Sequence, residues 1–380
     1  MMHVPGMEAI WVVLPEARVV GGAVRDMLAG CAVADVDFAS PLSPDEVMAR
    51  AKKVGLKAIP TGLAHGTVTL VVAGRGFEVT TLRRDVETDG RHARVVFTND
   101  WQEDAARRDF TFNAMSCTQD GEVFDYFGGR DDLSAGIVRF VGVPDERITE
   151  DYLRILRFFR FFARYGRSTP ERGVLSALSA GKHGLLALSP ERIWDEIKKI
   201  LSSPAPLKAV ELMHETGVLE LVLPGAQPAR LAALLAKNAP VDPLLRMAAL
   251  TDEDLAGRLR LSGAEAQALA AWRVPMALTP SDDDAVLRRA LAETSCDVLV
   301  ARSWLQEDDD EAWSGLRARL ASLPCPVFPV QGRDLIALGL EPGPRLGQRL
   351  AAIRRWWMEG GCVADRTACL AWGQENLGED

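Results

Sequence analysis

"VVGGAVRDMLAGCAVADVDFAS", residues 19–40, decides the fold of the N-terminal part of this chain. Its first residues read as a strand that runs into a glycine turn and a helix, with Gly30 just past the helix end. "VADVDFAS" then alternates apolar and acidic residues, the pattern of a half-buried strand. Residues two apart on a strand share a face, so Asp35 and Asp37 project side by side while Val36 packs behind. Parallel carboxylates repel unless a cation sits between them. Oxygen-only ligands suit Mg²⁺, which keeps some waters and is completed by substrate phosphates. Alone, "DVD" reads more readily as an acidic strand face meeting solvent. The glycines shift that balance: Gly21 and Gly22 let backbone N–H groups approach a phosphate at the start of a helix, where the dipole favours an anion. Arg25, one turn in, reaches the same phosphate, and Asp26 serves as a local hydrogen-bonding partner for the turn.

Working outward, "HGTVTLVVAGRGFEVTTLR" (65–83) holds two β-rich runs separated by a hairpin signal, so the first 140 residues form a small domain built around a sheet. Glu78, on the second of those runs, is a candidate third carboxylate for the metal site. The loop "ETDGRHA" (87–93) places Arg91 and His92 at a polar hairpin tip.

From about residue 145 the sequence turns helical. "ITEDYLRILRFFRFFARYG" (148–166) has an acidic first turn, apolar residues at helical spacing and a glycine stop. Arg154, Arg157, Arg160 and Arg164 stack along one face, with Asp151 one turn before Arg154. Four arginines without interleaved acids repel one another, and the opposite face is rich in Leu, Ile and Phe, which favours an anionic ligand over a merely solvated stripe. "SPERIWDEIKKILSS" (189–203) starts a further helix with a Ser N-cap and Pro at N1. Ala- and Leu-rich helices continue to about residue 320, and "LPCPVFPV" (323–330) breaks the pattern as a linker.

At 380 residues, two to four packed units are expected. A hydrophobic fraction of 48% with 26% charged residues fits a soluble globular protein and argues against disorder. The net charge of −9 argues against coating of nucleic acid by charge alone, yet residues 141–201 carry 11 Lys and Arg against 8 Asp and Glu, so a basic segment sits inside an acidic chain. Six scattered cysteines with no CxxC pair point to a reducing, cytoplasmic setting rather than a disulfide framework or zinc site. No signal peptide and no membrane span is read.

"GGAVRDMLAG…DVDF", "RRDFTFNAM", "VFDYFGGRDDL" and "EDYLRILRFFRF" occur in the order and spacing of the bacterial class II tRNA nucleotidyltransferases, and the chain resembles that family, the CCA-adding enzymes and related poly(A) polymerases. The motifs cover roughly residues 19–200; "GRDLIALGLEPGPRLGQRL" (332–350) resembles the family's tail, and residues 206–325 match only as helical filler. The resemblance implies an α+β fold: a polymerase β-like nucleotidyltransferase head with a small mixed sheet (1–140), then an all-helical neck (141–205), body (206–322) and tail (323–380). It implies catalytic and metal-binding roles for Asp35 and Asp37 at a two-ion Mg²⁺ site, and phosphate contacts for Gly22 and Arg25. Arg108 is expected to contact the nucleotide, with Asp109 and Asn113 near the sugar or supporting it. Asp151 and Arg154 would contact the incoming base, with Arg157 and Arg160 towards the triphosphate or RNA end, and Arg91 and His92 in a flexible head loop.

The base-reading role is chemically sensible, because a carboxylate only accepts hydrogen bonds and a guanidinium only donates them. Cytosine and adenine present an amino donor beside a ring-nitrogen acceptor, and uracil and guanine present the reverse. One Asp–Arg pair therefore admits C and A and rejects U and G without a template. The implied activity is CCA addition to the tRNA 3′ end from CTP and ATP, the 3′-hydroxyl attacking the α-phosphate and pyrophosphate leaving. The implied partners are the tRNA end and the two nucleotides, with no membrane and no obligate protein partner. Tail residues Arg345, Arg349, Arg354 and Arg355 beside Trp356 and Trp357 suit either a tRNA stem or an ordinary amphipathic helix. Poly(A), A-only or CC-only addition share these motifs. An inactive RNA-binding module of the same fold is the rival from another class, and the intact DxD, Arg25, Arg108 and Asp151–Arg154 set argues against it. No HD-type metal motif is found in the C-terminal half.

Overall fold

The structure is a computed structural model that describes residues 4–33, 35–89, 92–306 and 311–376. The chain divides into two compact units, one formed by residues 1–228 with 258–260 and the other by the remainder.

The first unit begins with a mixed sheet. Its strands are β1 (Arg18–Val20), β2 (Asp37–Ser40), β3 (Lys57–Gly62), β4 (Thr67–Val72) and β5 (Arg75–Thr81), while β6 (Arg83–Asp89) and β7 (His92–Phe97) form a separate hairpin. The short strands β8 (Ser116–Cys117) and β9 (Val123–Phe124) complete the main sheet in the order β3-β4-β5-β2-β1-β8-β9. Among the described strands of this sheet only β2 and β5 run parallel; the other pairs are antiparallel. The "AGRG" hairpin forms as read, with Ala73 at φ 50° and Gly74 at φ 83°, the paired positive angles of a type I′ turn. Helix α1 (Met7–Val13) precedes β1, α2 (Gly22–Leu28) follows it and α3 (Pro44–Lys53) follows β2, with a Ser43–Glu46 capping box at the start of α3. Phe38, Phe77, Leu70 and Ile10 are fully buried between sheet and helices, with the Trp11 and Phe77 rings edge-on to Phe38 at 5.3 and 6.2 Å.

Two readings of local structure need correction. Strand β2 begins at Asp37, so Asp35 lies in the segment before the strand and the two aspartates do not alternate along one strand. The stretch 148–166 is also not a single helix. After α4 (Trp101–Ala106) and α5 (Gly129–Ala135), helix α6 (Pro144–Glu150) stops at Asp151, whose backbone is extended (φ −153°, ψ 106°), and α7 (Leu153–Tyr165) starts afresh. Asp151 accepts the Leu153 amide at 3.1 Å, the local bond by which aspartate favours helix ends over interiors. Gly90 and Arg91 of the "ETDGRHA" tip lie outside the described residues, and His92 opens β7 opposite Asp89.

Helix α7 is docked by its phenylalanines. Phe158 and Phe159 are completely buried, and Phe158 and Phe161 pack on Phe110 at 6.4 and 5.2 Å. Burying each ring contributes about 2–3 kcal/mol, and this fixes the rotation of α7 and hence where its arginines point. The helices α8 (Arg172–Gly181), α9 (Pro190–Leu201), α10 (Leu207–Glu215) and α11 (Val218–Val222) complete the unit, with α9 and α10 packed on α7. Helix α9 starts after Ser189 with Pro at its first position, as read.

The second unit has helices and no strand among its described residues. Leu287, Leu299, Leu316 and Leu320 form one core cluster, and Ile353, Trp357 and Cys369 form another. The proline-rich 323–330 is irregular and lies within this unit, joining the helix Glu311–Ser322 to Gly332–Ala337. In the helix Pro344–Glu359, Trp357 is buried and Trp356 stacks on Trp372 at 5.2 Å, while Arg354 and Arg355 are exposed.

Candidate active site

The turn from β1 into α2 is shaped by Gly21, at φ 66°, ψ −126°, where a Cβ would come within 2.9 Å of the Arg108 guanidinium. Arg25 of α2 is 8% exposed. Its Nη1 donates to Asn113 Oδ1 at 2.6 Å, and its Nε lies 2.9 Å from Asp26 Oδ1 and 3.0 Å from the Tyr165 hydroxyl. Asp26 is structural, as read, but its partners are the Tyr165 hydroxyl and Arg25, so it ties α2 to the end of α7 rather than closing its own turn.

"RRDFTFNAM" supplies the next wall. Arg108 donates to Asp104 at 3.2 Å. Asp109 is buried, accepts from the Phe110 amide and Asn113 Nδ2 at 2.9 Å each, and takes Arg157 Nε on its other oxygen at 2.7 Å. Burial alone would raise the Asp109 carboxyl, but Arg157 and these hydrogen bonds outweigh it and hold the group below the usual carboxylate range.

Helices α7 and α9 close the site. Arg160 donates to Glu196 of α9 at 2.9 Å, and burial, then Arg157, pull its pKa down to about 10, so it stays a cation at neutral pH. Arg154 donates to the Arg147 carbonyl at 2.7 Å and pairs with Glu150, whereas Asp151 pairs with Arg192 of α9 at 3.1 Å. Asp151 and Arg154 thus have separate partners. The expected self-repulsion of the arginine face is relieved by Asp109, Glu150 and Glu196, acids contributed by neighbouring elements, so repulsion alone no longer argues for a ligand.

These walls enclose a cleft of about 540 Å³. Gly21, Gly22, Arg25, Arg108, Asp109, Asn113, Asp151, Arg154, Arg157 and Arg160 all line it, joined by Leu153, Phe161 and Arg192, which the sequence reading did not single out. A signal for Arg192 existed: Arg192 and Glu196 stand four apart on α9, on one face. Six guanidiniums in one cleft suit an anion with several charged oxygens.

Asp35, Asp37 and Glu78 are outside this lining and exposed. Asp37 and Glu78 stand on the neighbouring parallel strands one residue before the paired Phe38 and Val79. Partial loss of solvation, then Glu78, raise the Asp37 carboxyl, with Asp35 adding to the rise and Arg108 of the cleft opposing it, so the carboxylates border the cleft through Arg108. Among the described residues no group of three His, Cys, Asp or Glu could hold a metal ion, so Glu78 does not complete a closed ligand set. The donors fit an open site: two carboxylates with no hydrogen-bond or ion-pair partner among the described residues, adjoining a cation-lined cleft, suit a hard divalent ion that keeps water and phosphate ligands.

Residues 17–139 match the family described as the poly A polymerase head domain, and residues 169–230 match one described as a probable RNA and SrmB-binding site of polymerase A. The chain is 37% identical to the mitochondrial CCA tRNA nucleotidyltransferase 1 of Danio rerio over 90% of its own length and 83% of that protein. It is 33% identical to the CCA-adding enzyme of Geobacillus thermodenitrificans, over 95% and 93%. The crystal structure of the Bacillus stearothermophilus CCA-adding enzyme in complex with CTP superposes with a TM-score of 0.76 at 28% identity, covering 99% of this chain and 98% of that one. With motifs, fold and near full-length relatives in agreement, this chain belongs to the CCA tRNA nucleotidyltransferase family.

Proposed function

We propose that this protein adds C, C and A to the 3′ end of tRNA, using CTP and ATP and no nucleic-acid template. The observation that carries the reading is one cleft that joins a phosphate-type wall (Gly22, Arg25, Arg108) to an Asp151–Arg154 wall able to accept and donate at a base edge. Arg25, Arg157 and Arg160 receive the triphosphate, and Asn113 and Asp109 hold Arg25 and Arg157 in place beside the sugar. Phe161, under the Arg160 guanidinium at 4.4 Å, keeps that side of the cleft dry. Asp151 accepts from the exocyclic amino group of C or A, and Arg154 donates to the adjacent ring nitrogen. In the reaction the RNA 3′-oxygen bonds to the α-phosphorus, the bond from that phosphorus to the bridging oxygen breaks, and pyrophosphate leaves. Asp35 and Asp37 would hold magnesium, as a two-ion site, where it supplies charge neutralisation to the triphosphate and acidity to the attacking hydroxyl.

The head, neck, body and tail division at residues 140, 205 and 322 belongs to this proposal, with Arg354 and Arg355 offered to the tRNA stem. Six unpaired cysteines suit a reducing cytoplasm, and no helix among the described residues is long and apolar enough to cross a membrane. The test is to incubate the protein with tRNAs ending before, within and after CCA, giving each nucleotide singly and together. Products should stop at CCA; A-tracts running past it would turn the reading to a poly(A) polymerase.

A further inference from the structure

The proposed base reader is not held in position by its own helix. Asp151 sits in the extended link between α6 and α7, and its local tether is the Leu153 amide on Oδ1 at 3.1 Å. The second anchor comes from α9, 41 residues on: Arg192 Nη2 lies 3.1 Å from Oδ2 and 3.4 Å from Oδ1. Both side chains are largely withdrawn from solvent, at 27% and 22% exposure, and both line the cleft. Arg154, by contrast, is held from α6, by the Arg147 carbonyl and Glu150. The spacing between acceptor and donor is therefore set across two helices.

From this geometry we infer that Arg192 is a positioning residue for base selection: it fixes the Asp151 carboxylate in the orientation that accepts from C and A and leaves uracil and guanine unmatched. This rests on the base-reading role of Asp151 proposed above. An aspartate has a broad, two-fold terminal torsion. One amide leaves that torsion free to turn, and a guanidinium touching both oxygens does not. Donor and acceptor in fixed register reject the wrong base by leaving buried polar groups unpaired, whereas a carboxylate that can turn away removes that penalty. Because Arg192 uses a single nitrogen on Asp151, the carboxylate retains lone pairs for the incoming amino group. Arg192 thus orients the reader without blocking it.

The experiment compares kcat/KM for CTP with that for UTP, and for ATP with that for GTP, on a tRNA lacking the relevant nucleotide. The proteins are wild type, Arg192→Ala, Arg192→Gln, Arg192→Lys and Asp151→Ala, each checked for folding by thermal melting. Losing one charge-assisted contact should lower the C-over-U ratio about tenfold in Arg192→Ala and Arg192→Gln, chiefly through faster use of the wrong nucleotide. Arg192→Lys, which keeps the cation, should recover most of the ratio. A merely structural role would lower the rates for all four nucleotides together and leave the ratio intact. If Asp151→Ala lowers the ratio and the folded Arg192 variants do not, the positioning role is overturned and the base reader stands. If Asp151→Ala leaves the ratio unchanged, the base-reading proposal falls and takes this one with it.

Discussion

The two halves of the site are built on opposite principles. Along the cleft, Arg25, Arg108, Arg154, Arg157, Arg160 and Arg192 each have an intrachain hydrogen-bond or ion-pair partner. At the mouth of β2, Asp35, Asp37 and Glu78 face solvent with no such partner among the described residues. Pre-paired cations hold their geometry before a ligand arrives, so little reorganisation is needed when charge develops. Unpaired carboxylates keep their lone pairs and their repulsion for something brought from outside. The contrast separates residues whose loss should cost activity alone from those whose loss should cost the fold as well.

The largest effect expected is on the unpaired side. Asp37→Asn should reduce nucleotide addition on the order of 10³-fold or more while leaving the melting temperature unchanged or raised, because the substitution removes a repulsive charge beside Asp35 and Glu78 and breaks no bond. Primer extension beside a thermal melt reads both. A folded Asp37→Asn protein with near wild-type activity would remove the carboxylates from the chemistry.

On the paired side, Asp109→Asn should do the opposite in kind. It strips the charge partner from Arg157 and perturbs the bond to Asn113, so stability should fall by about 3 kcal/mol, together with activity. The sign of its pH dependence follows from the depressed carboxyl: the contribution is present in full above the ordinary carboxylate range and is lost as pH falls through the lower, folded-state value. Chemical denaturation across that acid range should show the wild type and Asp109→Asn converging as pH drops. A constant gap would mean that the Asp109–Arg157 pair contributes no net charge energy.

What could be read from the sequence divides along the same line. Motifs carried in short segments were legible: the hairpin at Ala73–Gly74, the start of α9 after Ser189 and the ten residues that meet in the cleft. The partners of those residues were not. Arg157 and Asp109 are 48 residues apart, and Arg25 and Tyr165 are 140 apart. Nothing local tells a guanidinium which of several carboxylates the fold will bring to it, so a self-repelling arginine face was read where a neutralised one exists. The break at Asp151 was hidden for a related reason. Apolar residues keep their helical spacing across it, through Ile148, Tyr152 and Ile155, and the interruption depends on one aspartate taking the Leu153 amide. Two-residue strands such as β8 and β9 carry no pattern of their own; their pairing completes the sheet only once the rest has formed.

The smallest effect sharpens how far the paired side depends on its supports. The Tyr165 hydroxyl bonds Asp26 and lies 3.0 Å from Arg25 Nε, at the end of the wall remote from the base readers. Tyr165→Phe keeps the ring under Arg25 and removes these bonds, so stability should fall by about 1 kcal/mol, with a modest rise in KM for CTP and ATP as Arg25 loosens. Burial and the Asp26 hydrogen bond push the phenol up to about 12. A raised folded-state value means the hydroxyl's contribution is complete below the ordinary phenol value of about 10 and is lost as pH rises towards the folded one. The gap between wild type and Tyr165→Phe should therefore hold through neutral pH and close under alkaline conditions, as followed by denaturation midpoints. Equal stability of the two proteins at neutral pH would show that Arg25 and Asp26 hold each other without the tyrosine, and that the paired wall is organised from the head alone.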